Sequence, residues 1–294
     1  MIEAVGARTL WAMHPDALSD LLAQLSIASK LPDSIKGLAA LLQAGTAMSQ
    51  AKAPVDPIRE GATLIMPVQG PLSPRGSYGG TSTERLAQVV LEAGDDSKVG
   101  AVVLHIMSPG GLVFGNAEAG DAIFAVRAKK PIIGVASPYA FSAAHWLATQ
   151  CSAFYASTSG EVGSVGVRGG HVDVSGFEDK IGMKTTLIAS SPEKIAGHPY
   201  GPLSEDDRNE MQADIDACNQ TFVAAIARGR GVEASAVPGI HGEGRTFSAA
   251  KAAKAGITDG TMTLREAIAK YSSSRSRLDL MRRRAEVQGM AAAI

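Results

Sequence analysis

The sequence contains little cysteine and no excess of either charge. Cys151 and Cys218 are the only cysteines in 294 residues, which excludes a disulfide framework and makes a reducing compartment the expected one. Lys and Arg total 28 against 29 Asp and Glu, so the formal net charge is −1 and a global nucleic-acid-binding surface is not expected. No Cys-x-x-Cys motif or His/Cys cluster with metal-ligand spacing occurs, so we expect neither a metal nor another cofactor.

Long hydrophobic runs are also missing. No run approaches 18 uncharged apolar residues, and residues 1–8 lack a basic region followed by an apolar one. We therefore expect no transmembrane helix, membrane anchor or secretory signal, and a soluble, cytoplasmic protein. Apolar residues nevertheless make up 45% of the chain, which is enough to form a sizeable core.

Apolar spacing divides the chain into four parts. Helical periodicity over 15–30 and 35–43 predicts a small helical N-terminal extension at residues 1–45. A linker follows at 46–61, and residues 273–294 form a basic tail, either solvated or docking an acidic partner. In the remaining part, 62–272, strands alternate with helices, which predicts an α/β domain with much parallel sheet. Apolar runs predict strands at 62–68, 99–106, 132–136, 153–156 and 184–189, and the closing segment 247–255 is predicted to be helical.

A serine follows one of these predicted strands directly. The apolar run 132–136 leads through a short turn to Ser142, which stands before a segment of small residues with helical character. A serine at this junction can be an ordinary N-cap, because its hydroxyl accepts from a free backbone N–H. It can also be a nucleophile, since the N–H groups of a helix N-terminus favour developing negative charge.

Two other elements carry possible chemistry. Ser108-Pro109-Gly110-Gly111 ends another buried strand, and paired glycines allow a substrate to approach the backbone closely. Their N–H groups, with that of Ala143, are candidate oxyanion donors. A serine nucleophile also needs a group that accepts its proton. A lysine can do this where burial favours the neutral amine.

The order of these elements resembles a known protease family. Ser108-Pro109-Gly110-Gly111, Phe141-Ser142-Ala143-Ala144 and Val162-Gly163-Ser164-Val165-Gly166-Val167, followed by a lysine in a loop, are similar to the signal peptide peptidase A family of serine proteases. The similarity extends over roughly residues 62–262. It implies an α/β fold of the ClpP/crotonase-like type, with repeated strand-strand-helix units.

The resemblance also implies roles for individual residues. Ser142 would be the nucleophile and Lys194 the general base of a Ser-Lys dyad, and Ser164 would hold the lysine amine by a hydrogen bond. Gly110, Gly111 and Ala143 would form the oxyanion hole.

One branch of that family is the most similar. Residues 194–200, Lys-Ile-Ala-Gly-His-Pro-Tyr, look like the Lys-x-x-Gly-x-Pro-Tyr element of phage head maturation proteases. This implies that the substrates are scaffold, portal or capsid proteins, that the chain forms a homo-oligomeric ring or dome, and that it acts in the host cytoplasm or prohead interior. Many members have a glycine and a tyrosine after the nucleophile, whereas this chain has Ala144 and His145. His145 is expected to line the substrate groove or to perturb the dyad.

Other functions remain open on the sequence. His171 and Asp173 could form a Ser-His-Asp triad with Ser142, because a triad is recognised by geometry and not by order. The same fold also serves crotonase-type acyl-CoA enzymes, which would need neither Ser142 nor Lys194. A soluble bacterial protease of the signal-peptide-peptidase type and a non-catalytic capsid assembly protein are the remaining alternatives.

Overall fold

The structure, a computed structural model, describes residues 11–13, 56–76 and 80–272. The predicted helices at 15–30 and 35–43 and the basic tail at 273–294 lie outside the described residues. The predicted linker at 46–61 is described from residue 56, and its residues 58–60 form a short strand.

A seven-stranded sheet forms the centre of the fold. Its strand order is β11–β10–β8–β6–β3–β2, and β9 pairs with β8 beside this path. The five strands β3, β6, β8, β9 and β10 run parallel, whereas β2 and β11 are antiparallel. The strand bounds are β2 Ile58–Glu60, β3 Thr63–Gln69, β6 Ala101–Ser108, β8 Ile132–Phe141, β9 Ala153–Ala156, β10 Glu161–Gly163 and β11 Thr246–Ser248.

A second, smaller sheet stands over the end of β6. Its order is β1–β7–β4–β5, with β1 antiparallel to β7 and the other pairs parallel. The strands are β1 Trp11–Met13, β4 Leu72–Ser73, β5 Thr81–Ser82 and β7 Gly110–Leu112. Because β7 starts two residues after β6 ends, this sheet lies beside the carboxyl end of β6.

Helices cover the sheet. They are α1 Thr83–Asp95, α2 Asn116–Val126, α3 Ala143–Thr149, α4 Ser175–Ile181, α5 Glu205–Arg230, α6 Val237–His241, α7 Ala249–Lys254 and α8 Leu264–Tyr271, with 3₁₀ turns at Pro192–Lys194 and Ala234–Ala236. The long α5 starts at Ser204, whose hydroxyl accepts from the Asp207 N–H, and ends at Gly231 in the left-handed conformation. Both are sequence signals for helix ends.

The core lies between the sheet and helices α1, α2 and α3. The apolar run of β6 is buried on both faces except at His105 and Met107, as expected for a central parallel strand. A second cluster packs the other face of the sheet against α8, where the Tyr155 and Tyr271 hydroxyls lie 2.7 Å apart. Because other elements cover both faces of the sheet, the edge formed by the strand ends is the part that remains available for a functional site.

One predicted element is absent, and another is shorter than predicted. Residues 184–189 have no regular structure, and Ile188 is 94% exposed. Apolar residues there form no strand because, within the described chain, no sheet edge pairs with them. The helix predicted at 247–255 begins only at Ala249, because Phe247 belongs to β11 and pairs with Val162.

Candidate active site

Three parallel strands end together at one edge of the main sheet. In the register, Ala140 of β8 is opposite Ser108 of β6, and Phe141 is opposite Gly163 of β10. The residues that follow these strands are therefore neighbours. Ser142 follows β8, Ser164 follows β10, and Gly110 and Gly111 follow β6.

Ser142 joins β8 to α3 in an unusual backbone conformation. Its φ is 52° and its ψ is −119°. Its N–H donates to the Gly163 carbonyl at 2.8 Å, and its carbonyl accepts from the Trp146 N–H at 2.9 Å. The side chain makes no capping hydrogen bond, so the hydroxyl does not act as an ordinary N-cap. The backbone is fixed on both sides while the hydroxyl is left for another role.

Ser164 shares this feature with Ser142. Within residues 11–13, 56–76 and 80–272, these two serines are the only non-glycine residues with positive φ, 58° for Ser164. Such conformations cost about 1–3 kcal/mol each and cluster at active sites. The strain at Ser164 is held by a hydrogen bond from its N–H to the Arg245 carbonyl at 2.7 Å.

Helix α3 places its first N–H groups at this edge. All of its residues are buried, and the small side chains at its start allow close packing on the sheet. The buried Asn116 side chain donates from Nδ2 to the Ala143 carbonyl at 3.3 Å, which ties the start of α2 to the start of α3. Sequence reasoning missed Asn116, because an asparagine at a helix start is usually only a cap.

The glycine pair lies in β7, where its backbone comes very close to the neighbouring strand. A Cβ at Gly111 would lie 2.0 Å from the Leu72 carbonyl oxygen, so only glycine fits there. Gly110 has φ 100°, and its N–H donates to Ser108 Oγ at 3.2 Å. That hydroxyl in turn donates to the Gly70 carbonyl at 2.7 Å. An oxyanion at Gly110 would therefore compete with Ser108 for the same N–H.

Lys194 lies on the loop that precedes α5. It ends the 3₁₀ turn Pro192–Lys194 and is exposed. In the described part of the chain, no hydrogen bond joins Lys194 to Ser142 or Ser164. The strand register thus brings together Ser142, Ser164, Ala143 and the glycines. The role of Lys194 as general base stays a prediction.

The candidate triad residues have other partners. His171 Nε2 lies 2.9 Å from the His198 carbonyl oxygen. Asp173 accepts from both the hydroxyl and the N–H of Ser175, and these bonds hold the pKa of its carboxyl below its usual value. No hydrogen bond in the described ranges links His171 to Ser142, so the geometry does not favour the triad.

His145 was expected either to line the substrate groove or to perturb the dyad. The first of these expectations is wrong. His145 is fully buried, and its Nε2 lies 3.0 Å from Nδ1 of His241. Burial, then the neighbouring imidazole and Arg230, hold the pKa of His145 well below its usual value. Burial and Arg230 lower the pKa of His241 to about 4. Both rings are therefore neutral near pH 7 and part of the core behind α3.

An open cleft of about 390 Å³ adjoins the cluster. It is bounded by residues 164–168, by one face of α5 and by 237–244, and Ser164 lies on its wall. Arg168 also lines it, with Nε and Nη2 buried and without a hydrogen-bond partner. Burial lowers the pKa of its guanidinium. The sheet edge thus opens into this cleft at Ser164.

Comparison with known proteins assigns the family. A profile of Peptidase family S49 matches residues 125–276, which is more than half of the chain. This chain belongs to peptidase family S49. The matched region contains Ser142, Ser164 and Lys194. Membership fits the ClpP/crotonase-like α/β fold implied by the resemblance, and β6, β7 and α2 form one strand-strand-helix unit.

The relatives of this S49 chain include phage proteins. It is 32% identical over 209 residues to the head-tail preconnector protein GP5 of Enterobacteria phage P21. It is 30% identical over 209 residues to the capsid assembly protease C of Escherichia phage lambda. Both alignments cover 69% of this chain, but only 41% and 47% of the relatives, so the chain spans less than half of their length.

A solved structure is also similar. The 1510-N membrane-bound stomatin-specific protease, in a variant form, aligns with a TM-score of 0.45 at 12% identity, covering 72% of this chain and 85% of its own. Among the described residues of the S49 chain, no helix is long and apolar enough to cross a membrane. The same residues contain no group of three or more His, Cys, Asp or Glu side chains that could hold a metal ion.

The buried histidine pair makes a prediction about stability. An unfolded histidine binds a proton near pH 6.5, whereas folded His241 binds one only near about 4. Between these values the unfolded state binds more protons, so the free energy of unfolding falls as the pH is lowered, by up to about 1.4 kcal/mol per pH unit for each histidine. Calorimetry at pH 7.5 and 5 should show this loss.

A variant pair isolates the contribution. His241→Asn should flatten the pH dependence of the melting temperature between pH 7.5 and 5. His171→Asn, which changes a half-buried loop histidine, should leave it close to that of the original chain. Equal slopes in all three proteins would show that the buried pair is not the cause.

Proposed function

We propose that this S49 chain is a serine endopeptidase in which Ser142 is the nucleophile and Lys194 the general base. The observation that carries the proposal is the pairing of Ser142 and Ser164. They are adjacent at one sheet edge, and within the described ranges they alone are non-glycine residues with positive φ. A fold holds two such strained serines together where geometry matters more than local stability.

The chemistry follows from the positions around Ser142. Its Oγ attacks the substrate carbonyl carbon while the Lys194 amine takes the hydroxyl proton. The oxygen of the tetrahedral intermediate accepts hydrogen bonds from the Ala143 N–H at the start of α3 and from Gly110 or Gly111. Expulsion of the amine, which receives the proton, leaves an ester on Ser142. Water then releases the acid by the same route, and the Ser164 hydroxyl orients the lysine amine.

The exposed position of Lys194 suits a site that is shared between two copies of the chain. An exposed lysine on a loop can reach the site of a neighbouring copy. We therefore propose a homo-oligomeric ring or dome in which one copy provides Ser142 and Ser164 and the next provides Lys194. Closed cyclic assemblies repeat such a contact between all neighbours.

The proposed substrates come from the phage relatives. One is named as a capsid assembly protease and another as a head-tail preconnector protein. We propose that this chain cuts scaffold, portal or capsid proteins during head maturation, in the host cytoplasm or the prohead interior. The peptidase part would be residues 62–272.

Complementation tests the shared site. Ser142→Ala and Lys194→Ala chains, each expected to be inactive alone, are co-expressed with different tags and purified as mixed assemblies. If neighbours share sites, one site in four receives an intact Ser142 and an intact Lys194, so activity should return to about a quarter of that of the original protein. Mixed assemblies that stay inactive would contradict sharing between copies.

A further inference from the structure

The N-terminal strand lies on the edge of the candidate oxyanion hole. β1 runs antiparallel to β7 with Trp11 opposite Leu112, Ala12 opposite Gly111 and Met13 opposite Gly110. β4 pairs with the other side of β7 at Gly111, and β1 is the end strand of its sheet. In the described chain β1 therefore pairs only with the segment that carries the candidate oxyanion donors.

The direction of β1 matches that of an approaching peptide. An exposed strand edge binds an extended peptide through main-chain hydrogen bonds. β1 runs from Leu112 towards Gly110, so Trp11, Ala12 and Met13 lead step by step to the cluster around Ser142. Met13 is the residue opposite Gly110, and its peptide group is the one in β1 nearest to the site where a substrate carbonyl would react.

We propose that β1 is a built-in occupant of the substrate-binding edge, holding in cis the place of the residues before the cleaved bond of a substrate. Met13 occupies the position of the last substrate residue before the cleaved bond. The inference rests on the function proposed above, because it identifies the edge of β7 as a substrate site through its glycines.

The weak pairing of β1 with β7 allows β1 and a substrate to compete for the same strand edge. Three residues are at the lower limit of strand length, and such short pairings are marginal in water, so a substrate can displace β1. A tethered segment nevertheless acts at an effective concentration on the order of mM. β1 should therefore raise the KM for extended peptides. It should leave kcat unchanged, because the active site is unaltered once β1 has been displaced.

Substitution in β1 tests the competition. Ala12→Pro removes an N–H and fixes φ near −65°, away from the antiparallel value of about −140°, so the short pairing of β1 with β7 is weakened. Ala12→Ser keeps the backbone and is the matched control. For a quenched-fluorescence peptide substrate, Ala12→Pro should lower KM severalfold at constant kcat, and Ala12→Ser should not. Removal of residues 1–13 should act like Ala12→Pro. An unchanged or higher KM in both altered chains would overturn the proposal.

A binding measurement separates this inference from the proposed function. A fluorescent peptide with the sequence of residues 8–13 is titrated into the Ser142→Ala chain with and without Ala12→Pro, and its polarisation is followed. Tighter binding with Ala12→Pro supports the occupant even if the original chain hydrolyses nothing, in which case only the proposed function fails. Hydrolysis by the original chain together with equal binding by both variants would refute the occupant and leave the peptidase.

Discussion

Ser142→Ala is expected to abolish peptide hydrolysis while leaving the fold unchanged. Loss of a serine nucleophile typically lowers kcat by at least about 10⁴-fold. The fold should persist because the hydroxyl makes no capping hydrogen bond and alanine keeps the Cβ that the strained backbone already accommodates. Hydrolysis of a quenched-fluorescence peptide and melting by circular dichroism measure both effects, and the change in stability should stay within about 0.5 kcal/mol.

A second buried serine provides the control for this experiment. Ser152 Oγ accepts from the Ile132 N–H at 3.0 Å, at the start of β8 and so at the opposite end of that strand from Ser142. Ser152→Ala should lower the melting temperature, since it leaves a buried N–H unpaired, yet retain activity. If Ser142→Ala remained active, or if both variants lost activity in proportion to stability, Ser142 would not be the nucleophile.

Lys194→Arg is expected to be as inactive as Lys194→Ala, a loss of about 10²–10⁴-fold. The substitution keeps a positive charge at an exposed position, but a guanidinium does not release its proton in the working range and cannot serve as a general base. Initial rates and melting curves are measured together, and the melting temperature should not change. Ser164→Ala should lose only part of the activity, since it removes the hydroxyl that is proposed to orient the amine.

Lys184 offers a matched control for that loss. It is an exposed lysine in an irregular segment, so Lys184→Arg should remain fully active. The opposite pattern would favour the triad. If Lys194→Arg kept its rate while His171→Asn lost it, His171 would be the base.

Ser142 could be placed near a strand end from the sequence because it follows an apolar run, whereas the role of Ser164 was predicted from the family resemblance. The run 132–136 was predicted to end in a turn before Ser142, whereas β8 continues to Phe141. Parallel strands end at a common edge, but Ser142 and Ser164 meet only because β8 and β10 are neighbours in the sheet. The strand predicted over 184–189 does not form. Apolar residues alone do not form a strand, because an edge must be free to receive them, and partner choice is not a local property.

Other features depend on contacts between distant parts of the chain. Met13 and Gly110 are far apart in the sequence but opposite each other in the small sheet, and no pattern in either segment indicates the pairing. The contact between His145 and His241 is equally remote. His145 was therefore expected near a groove, from its place after Ser142, whereas its side chain points into the core. Only tertiary packing decides on which side of α3 that ring lies.

Mapping of the acyl-enzyme tests the central claim most directly. The full chain is mixed with a slowly hydrolysed p-nitrophenyl ester, quenched in acid and digested, and the acylated peptide is sequenced by mass spectrometry. The account predicts one acyl group on Ser142, absent from Ser142→Ala and retained in Ser152→Ala. Acylation of a different residue that persists in the Ser142→Ala chain would contradict it.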